Sequence, residues 1–295
     1  MSNKKLNIHV RQARKTDGKT VFKFCEKTWD WGDYIEHVWD KWLKEKNGRV
    51  FVATIEGVPV GISHISIDKP SEAWLSGART DPKWRRQGIA SAITEKCLEY
   101  AKRRGVKVAR LMTESFNLTA QSLLPKLGFQ PIATFAETEL ENVTVEKNSN
   151  TRWAMQDEIE AIWNYLSTSE TYRKAAGLYT VMFHYFSLDK QDLENFVEQQ
   201  NVLMHCDKKG KVDGVVLISD APKREWNENL IQTCYADGAH STMLDIVGFL
   251  KTYCHQNGIK RILGLIPNQK QIVKAFIKQG FAKPKSINII YEKKL

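Results

Sequence analysis

The run Arg85-Arg86-Gln87-Gly88-Ile89-Ala90 holds the residue types from which chemistry is most readily built. It lies between a strand-like stretch ending at Thr80 and a helix-like stretch beginning near Ile89. At such a junction the first backbone N–H groups of the helix have no intrahelical acceptor, and the helix dipole adds partial positive charge. An anion, a phosphate above all, settles there readily. Gly88 removes the Cβ that would hold a phosphate away from the backbone, and Arg85 and Arg86 add longer-range attraction. Taken alone, R-x-x-G-x-A also describes an ordinary basic glycine turn, so its surroundings must decide.

The rest of the composition narrows the classes. Five cysteines (Cys25, Cys97, Cys206, Cys234 and Cys254) include no CxxC pair, which fits free, mostly buried thiols in a reducing compartment. No His and Cys positions have metal-ligand spacing; His205 and Cys206 are adjacent and point to opposite faces of a strand, so no metal is expected. A chain of 295 residues, 42% hydrophobic and 26% charged, reads as a soluble protein of one large or two ordinary domains. No long apolar run follows Met-Ser-Asn-Lys-Lys, so the expectation is a cytoplasmic protein without leader or membrane span. Net charge is +10, with 25 basic against 18 acidic residues through Lys147. That surplus suits phosphorylated ligands or nucleic acid. No stacking-aromatic motif of a nucleic-acid module accompanies it.

The elements that must position the loop alternate. Residues 8–13 form a strand, and Asp17 caps a helix reaching about Thr28. After Trp29-Asp30-Trp31-Gly32, a second helix puts Ile35, Val38, Trp39, Trp42 and Leu43 on one apolar face. Strands at 49–54 and 58–67 flank a turn at Gly57. A strand at 72–80, the basic loop, a helix at 89–104, a strand at 107–112, a helix at 118–127 and strands from Phe129 follow. A polar stretch, 141–151, marks a boundary between domains 1–145 and 146–295.

The second half repeats this order. A hairpin (201–206 and 212–219), a strand (230–236), a helix (240–255), a strand (259–266) and a helix (269–278) succeed one another. Gly105-Val106 and Gly128-Phe129 recur as Gly258-Ile259 and Gly280-Phe281, offset by 153 and 152 residues. We read an α/β (α+β) chain of two tandem, related domains, each a mixed, mainly antiparallel sheet flanked by helices. Where the loop should recur the sequence reads Ala236-Asp237-Gly238-Ala239-His240-Ser241, without arginine and with a carboxylate that repels phosphate. The second copy is therefore expected not to bind the anion. The aromatics Tyr179, Phe183, Tyr185 and Phe186 fill its core or contact the first domain.

Thr80-Asp81-Pro82-Lys83-Trp84-Arg85-Arg86-Gln87-Gly88-Ile89-Ala90, then Asn117-Leu118-Thr119-Ala120 and Leu127-Gly128-Phe129, resemble the signatures of a GNAT-superfamily N-acetyltransferase. The resemblance covers about residues 8–140 and makes the second half a degenerate GNAT-like copy. It implies acetyl-CoA as co-substrate, its pyrophosphate held by N–H groups from Arg86 to Ala90 with Arg85 beside them. It implies that the backbone of Ala78, Arg79 and Thr80 pairs with the pantetheine arm, and that Asn117 lies near the arm or its sulfur. Asn117 also suits a helix N-cap. Many family members carry a tyrosine where this chain has Leu124, so the acid that protonates the leaving thiolate is unassigned.

With Asn117, Glu72 and Glu114 are the candidate catalytic residues, the carboxylates as general bases; His64 is a third candidate base, and all three also fit ordinary strand positions. In GNAT-like folds the connection between the first two helices lines the acceptor site. Asp33 and Tyr34 are accordingly the candidate substrate contacts, while Trp39 and Trp42 read as core. The function implied is acetyl transfer to an amine, a small molecule such as an amino acid, by direct attack. A peptide N-acetyltransferase and a CoA-binding protein without turnover are the alternatives.

Overall fold

The computed structural model describes residues 6–28, 32–145 and 150–295, apart from the side chain of Trp226. Trp29, Asp30 and Trp31, and residues 146–149 at the domain boundary read from sequence, lie outside the described residues. By contacts the chain forms two compact units. Unit 1 comprises Met1–Leu111, Ser122–Gln130 and Glu292–Leu295; unit 2 comprises Met112–Gln121 and Pro131–Tyr291. This division follows packing, whereas the boundary at 145/146 follows the repeat along the chain.

Unit 1 begins with β1 (His9–Gln12), α1 (Gly18–Cys25), α2 (Ile35–Lys44), β2 (Gly48–Ile55), β3 (Val58–Lys69), β4 (Glu72–Thr80) and α3 (Ile89–Arg103). It also holds the first residues of β5 (Val108–Glu114) and the end of α4 (Leu118–Leu123). Strand order is β1-β2-β3-β4-β5, antiparallel from β1 to β4, with β5 parallel to β4. Helices α1 and α2 bury Val21, Cys25, Ile35 and Trp39 against Val50, Val52 and Ile62 of the sheet. Helix α3 sits close on β3 because Gly61 has no side chain: a Cβ there would fall 2.6 Å from Ile89 Cγ2.

Two helix ends differ from expectation. Asp17 does not cap α1. Its carboxylate takes the Arg14 N–H at 2.7 Å, closing a 3-10 turn over Lys15–Asp17, and grips the Arg11 guanidinium at 2.7 and 2.8 Å. Helix α4 stops at Leu123, not at 127, because Pro125 lacks an amide hydrogen; a 3-10 turn, Leu124–Leu127, finishes it.

Unit 2 contains β6 (Gln130–Glu141, from Pro131 on), β7 (Thr151–Trp153), α5 (Ile159–Thr168), α6 (Glu170–Lys174), β8 (Leu178–Val181), β9 (His184–Ser187) and α7 (Lys190–Glu198). There follow β10 (Val202–Cys206), β11 (Val212–Ser219), α8 (Ala221–Trp226), β12 (Leu230–Gly238), α9 (His240–Gln256), β13 (Arg261–Pro267), α10 (Lys270–Lys278) and β14 (Ile287–Lys294, as far as Tyr291). Its sheet runs β14-β6-β13-β12-β11-β10-β7, and β8 pairs with β9 as a separate hairpin. Helices α9 and α10 bury Met243, Ile246, Val247, Leu250, Ile272 and Phe276 on one face. Tyr179 and Tyr185 belong to the core, the latter edge-on to Phe135 at 4.9 Å. The five cysteines are free, and four of them are buried. Burial pushes the Cys25, Cys97 and Cys254 thiols up to about 12, which leaves them unsuited to act as nucleophiles.

Candidate functional site

Strand β4 organises the site in unit 1. It pairs with β5 only over Glu72–Trp74, after which the two parallel strands part. From Leu75 to Thr80 the β5-facing edge of β4 has no strand ladder in unit 1. On its other edge β4 carries a bulge: Ile62 faces Arg79, but His64 faces Ser76, so β4 holds one extra residue. Gly77 occupies it with φ +62°, and a Cβ there would meet the Trp42 ring at 2.7 Å. Asp81 N–H donates to Val60 O at 2.9 Å, so by alternation the N–H and C=O of Thr80 point away from β3. An extended ligand can pair there as an added strand.

Beyond Thr80 the chain makes a 3-10 turn over Pro82–Trp84, with the Asp81 side chain accepting from Lys83 N–H at 3.0 Å. Arg86 and Gly88 then take left-handed conformations, φ +62° and +85°. Gly88 caps α3 without any side-chain bond to the cap, and the first N–H returning to it is that of Ala92. The N–H groups of Ile89, Ala90 and Ser91 thus lack intrahelical partners, while Arg85, Arg86, Gln87 and Gly88 are exposed. The glycine is demanded here by its backbone conformation: a Cβ at Gly88 would meet only Ile8 Cδ1, at 4.0 Å. Together these groups form a candidate anion cradle at the end of an open strand edge.

The other residues singled out from sequence fare differently. Glu72 stands at the far end of β4 from the loop, about 26 Å from Thr80 at strand rise. Its carboxylate is held by the Arg110 guanidinium at 2.8 Å, a structural pair rather than a free base. Asp33 is nearly fully buried, accepts from Arg79 Nε at 2.7 Å and takes the Ile35 N–H at 3.1 Å. It fixes the start of α2 to β4 and has no charge left over for an acceptor amine. Tyr34 packs in the same cluster, under the Arg79 guanidinium and edge-on to Trp42, and burial pushes its hydroxyl pKa up. Arg79 also donates to the Ala78 carbonyl at 3.0 Å. His64 is buried, stacked on Trp42 at 4.2 Å, with Glu45 at 2.6 Å and Ser76 at 3.1 Å on its two nitrogens.

Glu114 and Asn117 belong to unit 2. Burial pushes the Glu114 carboxyl above its ordinary value. Glu137, which the sequence did not single out, is pushed up by burial and by the Glu114 charge beside it. Asn117 is the N-cap of α4, its Oδ1 accepting the Ala120 N–H at 3.1 Å. Leu124 is buried and supplies no acid. Among the described residues no group of three or more His, Cys, Asp or Glu side chains could hold a metal, and no helix is long and apolar enough to cross a membrane.

Residues 19–129 match the model of the acetyltransferase (GNAT) family. The chain is 32% identical over 108 residues to an uncharacterized N-acetyltransferase of Methanocaldococcus jannaschii, covering 33% of this chain and 48% of that one. It is 33% identical over 94 residues to a histidine N-acetyltransferase of Xenopus tropicalis, covering 31% of this chain and 29% of that one. It thus spans half or less of the length of these curated relatives. A tandem GNAT protein from the clavulanic acid biosynthesis pathway superposes with a TM-score of 0.53 at 10% identity, covering 98% of both chains. The last likeness speaks for the fold alone. Residues 19–129 are thus similar in sequence to the GNAT family of acetyltransferases, and the fold along the whole chain is similar to that of a tandem GNAT protein.

Proposed function

We propose that this protein transfers the acetyl group of acetyl-CoA to the amine of a small molecule, an amino acid being the class first to test, by direct attack of the nitrogen on the thioester. The observation that carries the reading is the continuity of an open strand edge, Leu75–Thr80, with the cradle at the start of α3. A pantetheine arm carries amide donors and acceptors in an extended chain, which suits the outward N–H and C=O of Thr80 and the neighbouring Ala78 and Arg79. A pyrophosphate suits the free N–H groups after Gly88 and the exposed Arg85 and Arg86. Asn117 is assigned to the arm by the resemblance only. An amino-acid acceptor is favoured by the histidine N-acetyltransferase among the relatives. Four of the five cysteines are buried, which disfavours them as carriers of an acetyl-enzyme.

The test is release of CoA thiol from acetyl-CoA with a panel of amino acids, small amines and peptides. Release above hydrolysis with amino acids is expected. Release with peptides alone moves the acceptor class. Tight CoA binding without release for any acceptor makes the protein a CoA-binding one and overturns the enzymatic reading.

A further inference from the structure

Glu45, His64 and Ser76 are brought together from the end of α2, from β3 and from β4. Glu45 Oε2 lies 2.6 Å from His64 Nε2, and His64 Nδ1 lies 3.1 Å from Ser76 Oγ. With the carboxylate ionised and the imidazole neutral, Nε2 donates to Glu45, and Nδ1 is the nitrogen that accepts from the Ser76 hydroxyl. Hydroxyl, imidazole and carboxylate in this order are a base aligned on a hydroxyl, with a third group fixing the tautomer. His64 is 1% exposed and parallel to the Trp42 ring to within 2°, so its orientation is set. Gly48 makes room for the arrangement: a Cβ there would fall against the Glu45 carboxylate and 2.9 Å from His64 Nε2.

The position of Ser76 gives the triad a use. It is half-buried, in the stretch of β4 that has parted from β5, just before the bulge at Gly77. It lies four residues before Thr80, about 13 Å along the strand. A pantetheine arm of about a dozen skeletal bonds spans about four residues of extended chain. An arm laid from the cradle along β4 therefore brings its thioester beside Ser76. His64, and with it Ser76, faces α2, whereas Gly61 faces α3 and the cradle. Ser76 thus stands on the face of the sheet opposite the cradle, with its open edge beside it.

We propose that Ser76 is a catalytic residue that relays a proton between the reacting nitrogen and His64, with His64 and Glu45 positioning and holding it. This rests on the acetyltransferase reading. As the neutral amine bonds to the thioester carbon, its N–H proton passes to Ser76 Oγ while the Ser76 proton passes to His64 Nδ1. The imidazolium formed is held by the Glu45 carboxylate. When the C–S bond breaks with its electron pair on sulfur, the proton returns from His64 through Ser76 to the thiolate. One N–H proton has moved to the CoA thiol and the relay is restored. The same groups thus serve as base and as acid, which supplies the donor that Leu124 cannot.

The experiment compares the full-length wild type with Ser76→Ala, Ser76→Thr, Glu45→Gln and Gly48→Ala, using the best acceptor of the panel. Ser76→Ala is expected to lower kcat about 100-fold with the KM for acetyl-CoA held within about twofold. Ser76→Thr keeps the hydroxyl and restores most of the rate. Glu45→Gln, which removes the carboxylate, and Gly48→Ala, whose Cβ displaces the carboxylate and crowds His64 Nε2, are each expected to cost about tenfold in kcat. Nitrogen NMR of labelled histidine should show His64 protonated on Nε2 alone in the wild type and on both nitrogens in exchange in Glu45→Gln. Transfer undiminished in Ser76→Ala, a hydrogen found on Nδ1 of His64 in the wild type, or an acetyl group found covalently on Ser76 overturns the relay alone. No transfer by the wild type to any acceptor overturns the acetyltransferase reading and the relay with it.

Discussion

The ends of β4 and β12 occupy the same place in the repeated fold and have opposite character. Both strands part from their parallel neighbours early, β4 after Trp74 and β12 after Thr233, and both carry a bulge on the antiparallel side. After β4, eight residues, 81–88, separate strand from helix and end in exposed arginines and a left-handed glycine. After β12, Ala239 alone separates Gly238 from His240 of α9. The backbone is crowded at Gly238, where a Cβ would meet Met243 Cε at 2.8 Å. The whole of β12 is buried.

The carboxylates near the two strand ends differ as well. In unit 1 Asp33 is paired with a cation, Arg79. In unit 2 Asp237 is buried among neutral hydroxyls: Tyr165 at 3.1 Å, Ser169 at 2.5 Å and Tyr235 at 2.8 Å. Desolvation pushes the Asp237 carboxyl above its ordinary value, although these bonds oppose it. The second copy has kept the splay of the strands and turned the ligand edge into core. The lesson is that the fold supplies an opening, and the connecting segment decides whether an anion can enter it.

Several substitutions test this contrast. Arg79→Ala strands the nearly buried Asp33 charge and should cost about 3 kcal/mol in denaturant-measured stability; a loss under 1 kcal/mol would show that Asp33 does not depend on its cation. Gly88→Asp forces a non-glycine residue into φ +85° and puts a charge in the cradle. It should raise the KM for acetyl-CoA about 100-fold with the circular dichroism spectrum unchanged. An unchanged KM would move the anion site elsewhere. Titration calorimetry should find one CoA per chain, and a stoichiometry near two would break the contrast outright.

A smaller effect separates the copies by pH. A carboxyl whose folded pKa lies above its unfolded value binds its proton more tightly in the folded state. The stability it brings is fully present below the unfolded value, about 3.9, and is lost as pH rises through the folded one. Asp237→Asn removes that loss, so wild-type stability should fall relative to this variant as pH rises above about 4. Parallel melting curves of the two proteins across that range would refute the burial of an ionising group. Smallest is Arg86→Gly, which relieves a left-handed arginine at φ +62° and should stabilise unit 1 by about 1 kcal/mol. The same change should weaken CoA binding through the lost charge, so that conformation and charge in the loop can be told apart by melting temperature and Kd.

Local features were legible where their causes are local. The cradle is a strand end, a glycine and a helix start within a dozen residues, and the missing loop of the second copy shows in the same window. Helix α2 declared its buried face through Ile35 and Trp39. Pro125 carries a local signal for the early end of α4, which the expected range to 127 passed over. By contrast, the hairpin of β8 and β9 turns on Met182 and Phe183, both non-glycine residues with positive φ, which no turn rule flags. Helix α5 does show a helical spacing in Ile159, Ile162 and Leu166, and it follows β7 as α1 follows β1, but the sequence reading of the second half began only at its hairpin.

By itself, then, the sequence determined the tandem α/β plan, the strand–glycine–helix junction between Thr80 and Ala90 that is proposed to hold an anion, and the absence of a like junction in the second half, because each depends on neighbours in the chain. Only the tertiary structure decided which polar residues are at work and which are occupied. Asp33 meets Arg79 across 46 positions, Glu45 meets His64 across 19, and His64 meets Ser76 across 12. Those distances along the chain are closed by strand register and helix packing, and residue types and spacing carry neither.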